Sequence, residues 1–244
     1  MSAELIETTE VRVGETFIPG PVLLLGAPGV GKGTQSQILM AEFGIPQIST
    51  GDLLRANIQR GTELGKQAKS LMDAGQLVPD NVVNGMVRDR LAQPDAATGY
   101  ILDGYPRTLG QAEWLDAHLA ATDTLHLDLI AVNIRVDEGE SLRRIAGRRS
   151  CPTCKRVYNT YSHPSKVENI CDFDGSALVQ RSDDTEAAFT ERMGAYKTQT
   201  AAVIAHYWGH GRFAEVDGSQ SVFEVADAIR RELTVLRADA KQVI

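Results

Sequence analysis

The stretch GAPGVGKGT, Gly26 to Thr34, directly follows the apolar run PVLLL and precedes residues with helical spacing of apolar positions. Glycines placed like Gly29, Gly31 and Gly33 let the backbone curl until successive N–H groups point inward at phosphate oxygens. A helix starting near Lys32 adds its positive N-terminal end, and the Lys32 ammonium can reach terminal phosphates. The general phosphate-loop pattern has Ser or Thr directly after the lysine. Here Gly33 intervenes and Thr34 follows, so the match is to a variant. Such a loop needs a carboxylate for Mg²⁺ at the end of a neighbouring strand, and YILDGYPRT supplies Asp103 at such a place. Arg107, a few residues on, is a fixed cation whose planar fork suits a phosphate.

A second chemistry is written at 151–175, CPTCKRVYNTYSHPSKVENICDFDG, which holds all three cysteines of the chain. The spacing is C-x₂-C-x₁₆-C-x₂-D, from Cys151 and Cys154 to Cys171 and Asp174. Two x₂ pairs so separated form the pattern of a structural Zn²⁺ site built from two turns, with Asp174 in place of a fourth cysteine. His163 and Asp172 are alternative fourth ligands, and the symmetry of the spacings favours Asp174. A redox pair at Cys151 and Cys154, or a segment held by packing without metal, are the competing readings. Four protein ligands leave no open position, so the metal would be structural.

These residues need elements to position them. PVLLL (21–25), PQIS (46–49), YILD (100–103), DLIAVNIRV (128–136) and RFAEVD (212–217) read as short buried strands separated by helical stretches. This rhythm predicts an α/β fold, a five-stranded parallel sheet covered by helices on both faces. Two stretches interrupt it. One, within 49–78, has room for several short helices; the other, 147–182, carries the cysteines and shows little regularity. The expected core is 21–48, 79–146 and 183–244, preceded by an extension at 1–20 of unreadable role.

Five motifs in order, GAPGVGKGTQ, STGDLLR, LDGYPRT with Gln111, RIAGRR and LVQRSDD, resemble those of adenylate kinases, the monophosphate kinases that convert ATP and AMP into two ADP. The resemblance runs from about Pro21 to about Leu236. It implies that Gly29, Gly31, Lys32, Gly33 and Thr34 cradle ATP with Arg144 and Arg148, and that Asp103 holds Mg²⁺ through water. It further implies an AMP site of Thr50, Arg55, Leu77, Val78, Gly104, Arg107, Gln111, Arg181 and Arg192. Within that site Arg55 and Arg107 would grip the phosphate and Gln111 would read the adenine edge, since an amide donates and accepts together. Lys32, Arg107, Arg148, Arg181 and Arg192 become the catalytic cations. The insertion at 49–78 becomes an AMP-binding flap and 147–182 a zinc-bearing lid of the long bacterial type. Asp183 and Asp184 could cap the following helix or orient the arginines.

Departures from the family pattern are Tyr105 where Phe is more usual, Asn159 where His is frequent, and Gly110 for a common Pro. None touches a phosphate ligand. A related kinase using GTP, or another acceptor such as UMP or CMP, would keep most of the motifs, although Gln111 with Thr50 favours AMP. A non-enzymatic zinc module for nucleic acid is the other rival. Against it stand the complete phosphate loop and a net charge of −7 spread along 244 residues without a basic tract. With 43% hydrophobic residues, no apolar run near the length of a membrane span and no signal sequence, the chain reads as a soluble, cytoplasmic monomer without membrane or nucleic-acid partners.

Overall fold

Every position of PVLLL is apolar because β1 (Pro21–Leu25) runs through the middle of the sheet and is buried on both faces. The computed structural model describes residues 20–122, 127–209 and 211–240. The extension expected at 1–20 therefore lies, apart from Gly20, outside the described residues.

After β1 the chain forms α1 (Lys32–Phe43), β2 (Gln47–Ser49), α2 (Thr50–Gln59), α3 (Glu63–Asp73), α4 (Asp80–Leu91), β3 (Tyr100–Asp103), α5 (Leu109–Thr122), β4 (Ile130–Arg135) and α6 (Glu138–Gly147). A hairpin of β5 (Arg148–Ser150) and β6 (Val157–Asn159) follows. The chain then continues through α7 (Glu186–Ala195), a π turn (Tyr196–Thr200), α8 (Ala201–Trp208), β7 (Phe213–Asp217) and α9 (Val222–Ala240). The main sheet has the order β2-β3-β1-β4-β7 with every pairing parallel. All five expected strands are present, β1 and β3 with the expected bounds and β2, β4 and β7 trimmed by a residue or two at their ends.

Alternation along β1 splits the core into two layers. Leu23 and Leu25 pack with Ile48, Leu102, Leu115 and Tyr207 on the face covered by α2, α4, α5 and α8. Val22 and Leu24 pack with Leu39 of α1 and Val225, Ile229 and Leu233 of α9 on the other. The chain winds from β1 out to β2 and β3 on one side, then crosses to β4 and β7 on the other. The crevice at the carboxyl ends of β1, β3 and β4 is thus a topological switch point, the place where open α/β sheets bind ligands.

The cysteine segment is more regular than its sequence implies. β5 and β6 pair antiparallel, Arg148 opposite Asn159 and Ser150 opposite Val157, over a small core of Cys151, Tyr158, Cys171 and Leu178. Three-residue strands are too short for alternation to declare itself. The cap before α7 is also settled: Thr185 accepts from the amide of Ala188, leaving the carboxylates of Asp183 and Asp184 for other partners.

Helices α2 and α3 cross closely at Gly65, where a Cβ would lie 2.2 Å from the carbonyl oxygen of Asn57. Gly65→Ala should therefore lower stability by about 1–3 kcal/mol, the usual penalty for overpacking, read as a reduced melting temperature.

Candidate active site and metal centre

The loop after β1 takes its shape from glycines that nothing else could replace. Gly26 has φ 134° and a Cβ there would stand 2.4 Å from the carbonyl oxygen of Ile134; Gly29 has φ 87° and would meet that of Ser141 at 2.4 Å. At the start of α1 the capping position is Gly31, left-handed and with no side chain to accept from the first amides. Those donors, with the positive end of the helix, face the cleft. Lys32 bends over the loop and donates to the carbonyls of Gly26 at 2.7 Å and Ala27 at 3.0 Å. Burial lowers its pKa to about 8; the Asp103 carboxylate opposes this, while Arg107, Arg192 and Arg148 reinforce it.

A cleft of about 610 Å³ opens over this loop, lined by Gly29, Gly31, Lys32, Gly33, Thr34, Arg55, Leu77, Asp103, Gly104, Arg107, Arg144, Arg148, Arg181 and Arg192. Its cations differ in how far they are neutralised. Arg148 is buried against Asp184, whose side chain is fully shielded from solvent, and forms a two-pronged pair with it. Burial disfavours the Arg148 charge, but the bonded Asp184 outweighs it and holds the guanidinium above its ordinary range. Arg192 donates to Asp183 at 3.0 Å, and Arg55 to Asp52 at 2.6 Å. Asp183 and Asp184 therefore orient arginines. Lys32, Arg107 and Arg181, in contrast, have no carboxylate at ion-pair distance among the described residues; Arg181 donates only to the Ser150 hydroxyl, at 3.1 Å. Burial lowers Arg181 to about 10, with Arg148 and Arg55 adding to the effect, and lowers Arg192 to about 10 despite Asp183. Arg107 is lowered by burial too, Asp103 opposing and Arg55 adding. All remain charged at neutral pH, so the cleft holds mutually repelling cations poised for an anion.

Asp103 ends β3 opposite Leu24 and Ser49 in register. One carboxylate oxygen accepts from Gln47 at 2.9 Å, which fixes its rotamer beside Gly33 and leaves the second oxygen for a hard cation. Arg144 lines the cleft but is already engaged, with Glu140 at 3.0 Å and the carbonyl of Gly218 at 3.0 Å.

A smaller cavity of about 50 Å³ adjoins the first and shares Arg55, Leu77, Gly104, Arg107 and Arg192 with it; Thr50, Val78 and Gln111 complete its wall. Thr50 donates to the Gly104 carbonyl at 2.8 Å, and Arg107 to the same oxygen at 2.7 Å. Gln111 is 2% exposed; its oxygen accepts from the Arg107 amide and its nitrogen donates to Asp80.

Cys151, Cys154, Cys171 and Asp174 converge, with donor atoms all within 4.8 Å of one another. Cys154 and Cys171 sulfurs are 3.5 Å apart, and the Cys151 sulfur is 3.3 Å from an Asp174 oxygen. Donors about 2.0–2.3 Å from a tetrahedral centre stand roughly 3.4–3.8 Å apart, so the set fits Zn²⁺. Two matching turns build it. The Cys151 carbonyl accepts from Lys155 and its amide donates to Arg156; the Cys171 carbonyl accepts from Gly175 and its amide donates to Ser176. Lys155 at φ 65° and Gly175 at φ 73° occupy equivalent left-handed positions. The alternative ligands are used elsewhere: Asp172 accepts from the Lys166 amide and His163 stacks on Tyr158.

Several residues that hold the site escaped the sequence reading. Asp80 binds both Thr108 and Gln111 at 2.7 Å and Gln47 steers Asp103; Asn159, read in sequence only as a departure from the family pattern, ties β6 to the Arg144 carbonyl at 2.7 Å. As a carboxylate in the first turn of α4, after Pro79, Asp80 reads in sequence as an ordinary helix start. Only its partners across the fold mark it.

Comparison with known proteins agrees with this geometry. The family profile described as adenylate kinase matches residues 24–212. An adenylate kinase from Nitrosococcus oceani is 46% identical over 216 residues, spanning 88% of this chain and 99% of that protein. Those of Thermodesulfovibrio yellowstonii (49% over 208 residues, 85% and 96%) and Citrifermentans bemidjiense (47% over 217 residues, 89% and 99%) are similarly close. A phosphate loop at the switch point, a ring of cations around it and likeness over nearly the whole length place this chain in the adenylate kinase family.

Proposed function

We propose that the cleft binds ATP over the loop after β1 and AMP against the cavity of Thr50 and Gln111, with the transferred phosphoryl group between Lys32, Arg107, Arg148, Arg181 and Arg192. The observation that carries this is the set of cations with no carboxylate partner among the described residues, Lys32, Arg107 and Arg181, gathered around the open start of α1. Phosphoryl transfer places charge on the transferring oxygens, so fixed donors and in-line positioning supply most of the rate. Lys32 moves from loop carbonyls to phosphate oxygens; Arg55 and Arg107 hold the acceptor phosphate; Arg148 and Arg192, braced by Asp184 and Asp183, point without searching. Asp103, with one oxygen fixed by Gln47, would hold Mg²⁺ through water; bound there, the ion would supply positive charge against the phosphates.

In this reading 21–48, 79–146 and 183–244 form the core, 49–78 the AMP flap and 147–182 the lid. The zinc set is structural: four protein donors close the coordination and stiffen a segment whose own core is only four residues. The reading needs no residue from a second copy, and a monomer is proposed. The test is ADP production from ATP, Mg²⁺ and AMP, with UMP, CMP and GMP as competing acceptors and GTP as donor. Turnover confined to ATP with AMP is expected, and use of another acceptor in place of AMP would overturn the base assignment.

Lys32→Met and Arg107→Ala should each lower kcat by about 10²- to 10³-fold. Lys32→Met should melt no earlier than wild type, because a lysine whose pKa falls on folding opposes the fold at neutral pH. The same shift gives a pH signature. Folded Lys32 is about half deprotonated near pH 8, whereas bound phosphates restore the charge. ATP binding at pH 8.5 should therefore take up protons, an uptake that fades below pH 7 and is absent in Lys32→Met; calorimetry in buffers of different ionisation enthalpy reads it. Cys154→Ser should reduce bound zinc well below one per chain and lower the melting temperature; full metal content in that variant would refute the ligand set.

A further inference from the structure

The orientation of the Gln111 amide is set by two partners that tolerate only one arrangement. The Arg107 main-chain N–H, 2.8 Å away, can only donate, so it must face the amide oxygen. The Asp80 carboxylate, 2.7 Å away, can only accept, so it must face the amide nitrogen. Asp80 is itself held, since its other oxygen accepts from Thr108 at 2.7 Å and Thr108 accepts from the Gln111 main-chain amide at 3.1 Å. Each end of the amide keeps one capacity: a second N–H on nitrogen and a second lone pair on oxygen. That side chain lines the small cavity beside Thr50 and Val78.

A 6-aminopurine presents an acceptor at N1 beside a donor at N6. A 6-oxopurine presents a donor at N1 beside an acceptor at O6. The two edges are mirror patterns, and a freely turning glutamine amide could match either by flipping. We propose that Asp80 is a positioning residue which, with the Arg107 amide, locks Gln111 in the single orientation that fits a 6-aminopurine, and so makes the acceptor site reject 6-oxopurine monophosphates. The inference rests on the reading of Gln111 as the base contact. The rejection is strong because the wrong base would leave buried donors and acceptors facing their own kind.

The test compares kcat/KM for AMP and IMP, which differ at this edge alone, in wild type, Asp80→Asn, Asp80→Glu and Gln111→Ala. Asparagine can donate as well as accept, so it removes the Asp80 half of the lock and leaves only the Arg107 main-chain N–H opposing the flipped amide; glutamate keeps acceptor-only chemistry. Asp80→Asn should reduce the AMP-to-IMP ratio by about tenfold or more, chiefly through a higher KM for AMP, with the KM for ATP little changed. Asp80→Glu should retain most of the ratio, and Gln111→Ala should collapse it. A collapse in Gln111→Ala with an unchanged ratio in Asp80→Asn would overturn the positioning role of Asp80 and leave the Gln111 contact standing, oriented by the Arg107 amide alone. An unchanged ratio in both would overturn the contact and the lock together. If Asp80→Asn does not fold, Thr108→Val, which frees the second carboxylate oxygen, gives the same reading: a loss of about threefold or more supports the lock and an unchanged ratio refutes it.

Discussion

Like charges packed into one crevice repel, and much of this fold exists to make that crowding tolerable. Lys32, Arg107, Arg148, Arg181 and Arg192 line a single cleft whose walls exclude much of the water that would screen them. The remedy is selective. Arg148 and Arg192 are tied to the buried pair Asp184 and Asp183, which come from the short stretch joining the cysteine segment to α7. Among the described residues, Lys32, Arg107 and Arg181 keep neutral acceptors alone, namely carbonyls and a hydroxyl. Burial and mutual repulsion disfavour these charges, so an anion placed among them relieves both. That is the arrangement a catalyst of charged phosphates requires, since the donors are already fixed where charge will develop.

The sheet supplies the fixed points for this arrangement. β1 delivers the loop and β3 delivers Asp103, and because the two strands pair in parallel register, Leu24 opposite Asp103, the carboxylate and the loop emerge side by side. The cysteine segment is bound into the same plan. β5 begins at Arg148 itself, and Asn159 on β6 fastens the hairpin to the last turn of α6. The cluster of three cysteines and Asp174 therefore adjoins the very strands from which a cleft arginine projects.

Sequence disclosed a great deal here because the signals were local. All five sheet strands were visible as short apolar runs, the phosphate loop as glycines around Lys32, and the metal set as two x₂ pairs with the fourth position marked by symmetry. What stayed hidden was what depends on distant partners. Asp80 meets Gln111 across 31 positions and Gln47 meets Asp103 across 56, so no spacing rule could pair them. Asp183 and Asp184 were readable either as caps or as partners of arginines, and that choice needed the structure, in which Thr185 takes the cap. The β5–β6 hairpin escaped for another reason. Strands of three residues carry too few positions for a period of two to be told from chance.

Two contacts join the cysteine segment to elements beyond it: Ser182 donates to Asp73 at the end of α3, and Gln37 of α1 donates to the carbonyl of Lys155 on the first cysteine turn. Both lie at the surface, where a hydrogen bond is worth on the order of 1 kcal/mol. Together they can favour a covered arrangement without fastening it. An enzyme that admits and releases two nucleotides in every cycle has to live within that limit. A change that strengthened either contact would lengthen the residence of products, gaining affinity at the expense of throughput.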